Sequence, residues 1–533
     1  MLPLSFLLKR ENPSLGFRFG SFGEVINHLF FMDDLKLYAK NENDLRKLTD
    51  IVHRFSVDIG MVFGIEKCAS LKIEAGVRKE SKGIELPSGE VLSDVERGGY
   101  KYLGVYEGCD IEHKKMKELV TDEYLRRVKA VARSKLYSKN LFDALNSWAV
   151  SVVRYSAGIL NWRENELKAI DVKTRKVLTM NGIFHKKGNV DRVYIKRKLG
   201  GRGLISVEDC VRMEERNLRN YLRGDACVET LVLATSSVLL GIEQCKEEGN
   251  HNGACTFECY REESGAEYKT RVSNERVERV SEMKMHGRFF REVSNVSGDS
   301  MFEWVASGSV NKSTEGLVFA AQEQALPTNF LKAKITGESE DANCRVCKKE
   351  LETVTHLVSS CSGLAQREYK RRHDRMGLRV YWEICKKYGM KCSEHWYTEC
   401  PEKVRKSECG FYEVWWDRPV ETTKRLEHNK PDVVIIDRKR KLWTFIDFSV
   451  PNDKNVLLKG EEKKETYKEL ANEIRRIHKV RTKIVPIVVG ALGVLPSNLE
   501  ENLKYLEMPY VIRCLQVSAV IGSSIILRKI LNI

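Results

Sequence analysis

Along this chain, apolar and polar positions fall into two alternating regimes. Near the C-terminus two short apolar runs, 433–436 and 442–450, are rich in β-branched and aromatic residues and flank the charged segment Asp437-Arg438-Lys439-Arg440-Lys441. That pattern predicts a β-hairpin. Next comes a stretch with helical period, 461–480, in which Tyr467, Leu470, Ala471, Ile474 and Ile477 share one face. Close to the N-terminus, 30–39 sets two apolar runs around Asp33-Asp34, a second hairpin with the acids at its tip, and a helix is expected over 43–58. The middle of the chain is basic and helical in pattern, with helices expected at about 112–138, 140–157, 164–180 and 206–223 and a loop over 181–203. A charged helix is expected over 271–291, and the rest of 224–334 is uninformative. The apolar stretch 514–527 falls short of the roughly 18–20 residues of a membrane span and reads as a buried helix. The fold class expected is multidomain α+β.

The C-terminal hairpin carries the sharpest chemistry. Pairing its strands about the point between Lys439 and Arg440 sets Asp432 opposite Asp447. Directly opposed residues of an antiparallel pair have Cβ atoms about 4.5–5.5 Å apart on one face. Two carboxylates that close repel, and a hard divalent cation, Mg²⁺ or Mn²⁺, would relieve the repulsion. Lys463 lies four residues before Tyr467 and so shares its helix face, with Lys464 as the alternative. Metal plus ammonium beside a phosphodiester is the equipment of assisted hydrolysis. The bland reading is that a hairpin happens to carry two acids and that Tyr467 is core.

Charge and cysteines add two expectations. The 533 residues suit several domains, and the net charge is +15, concentrated in 111–210, where 22 Lys/Arg stand against 11 Asp/Glu. A polyanion partner fits that balance, and so does a merely solvated helical surface. Candidate phosphate contacts are Lys67, Lys186, Lys187, Arg197, Arg202, Arg371 and Arg372. Fifteen cysteines without a secretory signal point to a reducing compartment, nuclear or cytoplasmic. Four ligand types at metal spacing, Cys344-x2-Cys347-x8-His356-x4-Cys361, suit a tetrahedral Zn²⁺. Cys245, His251, Cys255 and Cys259 fit no such template.

The Pro431-Asp432…Asp447 pair with a helix lysine resembles the restriction-like PD-(D/E)xK nucleases. Ser449 stands where that family usually has its lysine. The relocated Lys463 resembles the subgroup found at the C-terminus of certain non-LTR retrotransposons. The surrounding words are similar too: Trp415-Trp416-Asp417, Asp447-Phe448-Ser449-Val450-Pro451, Glu462-Lys463…Tyr467…Leu470…Glu473 and the tail Leu499…Ala519…Ile526-Leu527. The Cys-Cys-His-Cys group followed by Arg371-Arg372-His373-Asp374 resembles what precedes that nuclease. Upstream, Phe31-Met32-Asp33-Asp34 resembles motif C of reverse transcriptases, the stretch 60–68 with Lys67 the next palm motif, and Tyr100-Lys101-Tyr102-Leu103-Gly104 the following hairpin.

The resemblance implies a reverse-transcriptase palm over 1–110, a basic helical thumb over 111–223, a linker over 224–335, a zinc knuckle over 336–400 and an endonuclease over 401–533. It implies catalytic roles for Asp432, Asp447 and Lys463 with Mg²⁺ or Mn²⁺, for Asp33 and Asp34 in polymerisation, and a Zn²⁺ knuckle that either braces the nuclease or grips nucleic acid through Lys348, Lys349 and the arginine helix. Its partners would be target DNA and element RNA, without a membrane; the oligomeric state stays open. In that family one polymerase acid lies on a strand well before motif C. Only 32 residues precede Asp33, among them Glu11 and Glu24 but no aspartate, so a truncated palm unable to extend a primer is expected. The competing expectation is a nucleic-acid-binding remnant, or host-adopted protein, with no catalysis.

Overall fold

A computed structural model describes residues 2–19, 24–62, 64–95, 99–224, 263–296 and 300–533. Ser21-Phe22-Gly23, which the sequence marks as a turn between the apolar runs 17–20 and 24–29, and the residues Cys245, His251, Cys255 and Cys259 lie outside the described residues. The protein is mixed α and β and divides into two compact units that interleave in sequence: 1–126, 149–171 and 207–269 form one, and 127–148, 172–206 and 270–533 the other. The segment 111–223, expected as a single helical domain, is therefore shared, with boundaries inside the helices His113–Arg133 and Glu164–Met180.

In the first unit, the helix Leu2–Arg10 buries Leu4 and Leu8 against Leu48 and Val52 of the helix Glu42–Asp58. That second helix starts where the Asn41 side chain accepts the Asp44 N–H, a side-chain N-cap. The hairpin expected around Asp33-Asp34 is present, with strands His28–Phe31 and Asp34–Leu37 and Phe31 opposite Asp34. Its tight turn holds Met32 at φ +55°. The strands Tyr100–Tyr102 and Val105–Glu107 form another hairpin, and Leu103 and Gly104, both at positive φ, make its two-residue turn.

The second unit is built on a five-stranded sheet in sequence order: β1 (Val404–Lys406), β2 (Tyr412–Trp416), β3 (Val433–Asp437), β4 (Leu442–Ser449) and β5 (Arg481–Val488). Neighbours are antiparallel except β4 and β5, which run parallel. Every residue of β3 is buried, as expected for a central strand covered on both faces. One face packs against α2 (Lys370–Lys387), whose Met376, Val380 and Ile384 meet Val433, Ile435, Ile446 and Phe448. The approach is close at Gly377, where a Cβ would stand 2.9 Å from the Phe448 ring and 3.0 Å from that of Trp416. On the other face Trp443, Phe445, Val434 and Ile436 meet Tyr467, Leu470, Ala471 and Ile474.

The helix expected over 461–480 is two helices, α3 (Val456–Thr466) and α4 (Lys468–His478), parted at Tyr467, which has φ −99° and ψ 8°. Neither proline nor glycine marks that break, so the periodicity could not foretell it. Near the C-terminus, α5 (Ile512–Leu531) is long and apolar enough by composition to cross a bilayer, yet it packs into both large cores through Leu515, Ala519, Val520, Ile526 and Leu527. Gln516 anchors it: its amide donates to the carbonyls of Met301 and Gly493, both at 2.6 Å, and its oxygen accepts from Trp304 N at 2.9 Å.

Three arginines read as phosphate contacts are instead interior groups. Arg202 is 1% exposed, beside the buried Glu315 of α1 (Lys312–Gln322) and the Phe319 ring. Arg197 donates to the Val305 carbonyl at 2.8 Å and also pairs with Glu315. Arg372 is 3% exposed and donates to the Val358 carbonyl, Ser523 Oγ and the Val450 carbonyl. A planar guanidinium with five donors satisfies several buried acceptors at once, which the sequence alone does not distinguish from a surface role. Lys67, Lys186, Lys187 and Arg371 are exposed.

Candidate active site and metal centre

The β3–β4 register fixes the first site. Val433 pairs with Ile446 and Asp437 with Leu442, so the next pair outward is Asp432 with Asp447. At that end the ladder is finished by a side chain: Asp432 Oδ2 accepts the Phe448 N–H at 2.8 Å. Asp447 is 3% exposed. Its Oδ1 accepts the Tyr467 hydroxyl at 2.7 Å, and Lys463 Nζ lies 2.7 Å from its Oδ2. The Lys430 carbonyl lies 3.1 Å from the same hydroxyl oxygen, a second, longer acceptor for its single proton. The two residues that reach Asp447 come from the last turn of α3 and from the break itself, at Tyr467. Tyr467 is thus both core and site. Lys464 instead pairs with Glu461 at 2.8 Å.

Electrostatics follow the geometry. Burial raises the Asp447 carboxyl above its ordinary range, and the Asp432 charge adds to the rise; Lys463 and the Tyr467 hydroxyl oppose it without cancelling it. Burial, then the neighbouring Asp447, also raises the Tyr467 phenol, which stays a donor. Lys463 is thus the one partner of Asp447 Oδ2 among the described residues, an ammonium 2.7 Å away.

A residue read from the sequence only as part of a basic helix joins the pair. His373 Nε2 lies 3.2 Å from Asp432 Oδ2 and 3.1 Å from the Phe448 carbonyl, while Nδ1 meets Asp374 at 3.0 Å. Burial opposes its protonation, but the bonds and charges of Asp432 and Asp374 outweigh burial and raise the imidazole to about 9. His373, Asp374 and Asp432 line a cleft of about 430 Å³ with Lys370, Trp416 and Asp417. Asp447 does not line it; Asp432 stands between the cleft and the buried pair. Asp417 occupies the ladder row of Asp432 one strand over, its N–H on the Asp432 carbonyl at 2.8 Å, and holds Lys430 at 2.6 Å and Lys403 at 3.0 Å.

The second site is the cysteine–histidine group. One donor atom from each of Cys344, Cys347, His356 and Cys361 lies within 4.8 Å of the others, so the group could hold a metal such as zinc. His356 Nε2 is 3.3 Å from Cys347 Sγ, and its Nδ1 meets Glu350 Oε2 at 3.0 Å, the outer carboxylate that orients a ligating imidazole. Hydrogen bonds from the Lys349 N–H and then the Glu350 N–H hold the Cys347 thiol at about 6 against the opposing effect of burial, while burial pushes Cys361 up to about 12. Cys344 and Cys361 sit in one apolar core with Val354, Leu357, Phe319 and Leu527. The knuckle is therefore part of the larger unit, not the separate 336–400 domain expected.

Asp33 and Asp34 are exposed at the tip of a two-stranded hairpin that pairs, among the described residues, only with itself. The chain matches no protein-family model and no curated protein.

Proposed function

We propose that the C-terminal unit is a divalent-cation-dependent endonuclease that nicks DNA, of the restriction-like type carried by non-LTR retrotransposon proteins, and that the chain derives from such a reverse transcriptase–endonuclease. The observation that carries this reading is the Asp432–Asp447 ladder row with Lys463 on its buried member. The donor set fits Mg²⁺ or Mn²⁺: two carboxylates of hard oxygens whose mutual repulsion only one ammonium, on Asp447, now offsets on the buried side. Asp432 and Asp447 would hold the ion, which when bound would stabilise charge on a phosphate and acidify a water. Lys463 would orient that water or neutralise a phosphate oxygen. Tyr467 fixes the Asp447 carboxylate plane, and His373 fixes that of Asp432 at the cleft. The Cys344–Cys347–His356–Cys361 group would carry a structural Zn²⁺ bracing α2 from behind.

Asp33 and Asp34 are read as an inherited polymerase pair without activity. Two-metal polymerisation needs carboxylates from two strands, and no further acid strand pairs with this hairpin among the described residues. The partners would be target DNA and an element RNA. Conversion of supercoiled plasmid to nicked circle tests the nuclease, with Mg²⁺ or Mn²⁺, wild type against Asp447→Ala. Nicking lost in the variant is expected. Equal nicking in both, or none in either, sinks the reading in favour of a non-catalytic nucleic-acid-binding protein, which the ion pair already formed between Lys463 and Asp447 would suit.

A further inference from the structure

A cluster of rings against α2, the helix that supplies part of the cleft, has no part in the chemistry above. The turn Trp396–Thr398 lies against α2 and is held rigidly from below. Glu399 accepts the Ser393 N–H at 2.6 Å and the Ser393 hydroxyl at 2.8 Å, and pairs with Arg405 at 2.8 Å. Trp382 Nε1 donates to the Ser393 carbonyl at 2.9 Å. On this support His395 and Tyr397 stack, centroids 5.1 Å apart and planes 14° from parallel, and Trp396 meets Tyr397 edge-on. Tyr397 is 63% exposed, so its ring contributes little to any core.

Cations line the same side. Arg371, Arg375 and Arg379 recur every four residues and so form one stripe of α2. Arg375 and Arg379 lie 5.5 and 5.8 Å from the Trp396 ring centre. Lys386 caps Trp382 at 3.9 Å. Arg379 is neutralised by Glu383, and Glu394 is an exposed acid in the same turn, but Arg371 and Arg375 are exposed and form no ion pair among the described residues. The stripe lies on the same helix as Lys370, His373 and Asp374, which line the cleft from the neighbouring face of its first turns.

We propose that the His395–Trp396–Tyr397 turn is a stacking platform for an unpaired nucleic-acid strand leading into the cleft. Ring faces bind bases that are not already stacked in a duplex, while a cationic stripe follows the phosphates. The proposal rests on the nuclease reading only for the identity of the cleft, since strand binding is measured apart from cutting.

The test uses the full chain and fluorescence anisotropy of a short labelled DNA strand, the same strand as a duplex, and the same strand with abasic sites. Tyr397→Ala is expected to weaken single-strand binding about tenfold, the loss of a stacked base, and duplex binding by less than about twofold. Tyr397→Phe keeps the ring and should bind as wild type, and the abasic strand should bind wild type no better than the intact strand binds Tyr397→Ala. Unchanged melting temperatures exclude misfolding as the cause. Equal single-strand binding by wild type and Tyr397→Ala overturns the proposal. So does a loss shared equally by the duplex or by Tyr397→Phe. Polyglutamate competing as well as the strand would assign the surface to acidic protein and overturn it too. Plasmid nicking in the same samples, with Asp447→Ala as control, reports separately on the nuclease.

Discussion

Asp447 is under two opposed demands. It is buried where a charge is costly, beside a second carboxylate, yet an ammonium and a phenol are turned toward it as if it were ionised. Because its folded affinity for a proton exceeds the unfolded one, its ionisation opposes folding above the unfolded pKa. Asp447→Asn is therefore expected to abolish nicking while leaving the melting temperature in EDTA at neutral pH at or above that of wild type; a clear fall would show that the charge is structurally required. His373 has the opposite sign. Its folded imidazole is raised from 6.5 to about 9, so its contribution to stability is complete below 6.5 and is lost as pH climbs through about 9. In EDTA, wild type should lose more stability between those limits than His373→Ala, and parallel curves would refute the assignment. Tyr467→Phe removes the donor to a buried carboxylate and should cost about 1–3 kcal/mol by denaturant titration. The sequence announced Asp432, Asp447 and Lys463 because a two-residue period and a four-residue spacing are local rules. It was silent on the part played by His373, since that contact spans 59 positions and depends on how a helix seats on the sheet.

At the scale of elements, the hairpin was legible to the residue. Strong β-formers on either side of a charged turn leave one register that buries all of β3. Upstream, the helices expected over 164–180 and 206–223 match Glu164–Met180 and Val207–Gly224, whereas the one over 112–138 stops at Arg133 and the one over 271–291 is instead Gly265–Glu282 followed by the short Arg288–Val293. What periodicity could not supply was the break at Tyr467 or the fate of the arginines, because a guanidinium reads the same on a surface and in a core. Glu315 shows the difference. It is fully buried and receives the Ser138 hydroxyl, Arg197 and Arg202. Glu315→Ala would strand two guanidiniums and is expected to destabilise the larger unit by about 3–5 kcal/mol. The cysteine–histidine group makes a parallel case, since two of its thiols lie in the main apolar core. One zinc per chain by atomic absorption, lost together with cooperative unfolding in Cys361→Ser, is the expected result.

For the whole molecule, the net charge of +15 predicts salt-sensitive binding to polyanions, carried by cations that reach water. Replacing Lys186 and Lys187 together by alanine should lower the slope of log affinity against log salt by about 2, as two released counterions require. Domain boundaries were the least legible feature, because segments far apart in sequence combine in each unit. One practical consequence concerns how the nuclease half can be isolated. The final helix hangs by Gln516 from Met301 and Trp304, and its apolar side is completed by Phe319, so a fragment begun at the zinc knuckle would emerge with an open seam along α5. Such a fragment should clump during purification, whereas one reaching back to residue 270 keeps the seam shut but still lacks the strands of chain that hold Arg192, Arg197 and Arg202. Supplying 172–206, the part of this unit that carries those arginines, as a separate polypeptide should then complete the network around Glu315, turning an awkward interleaving into a means of switching the unit on by complementation.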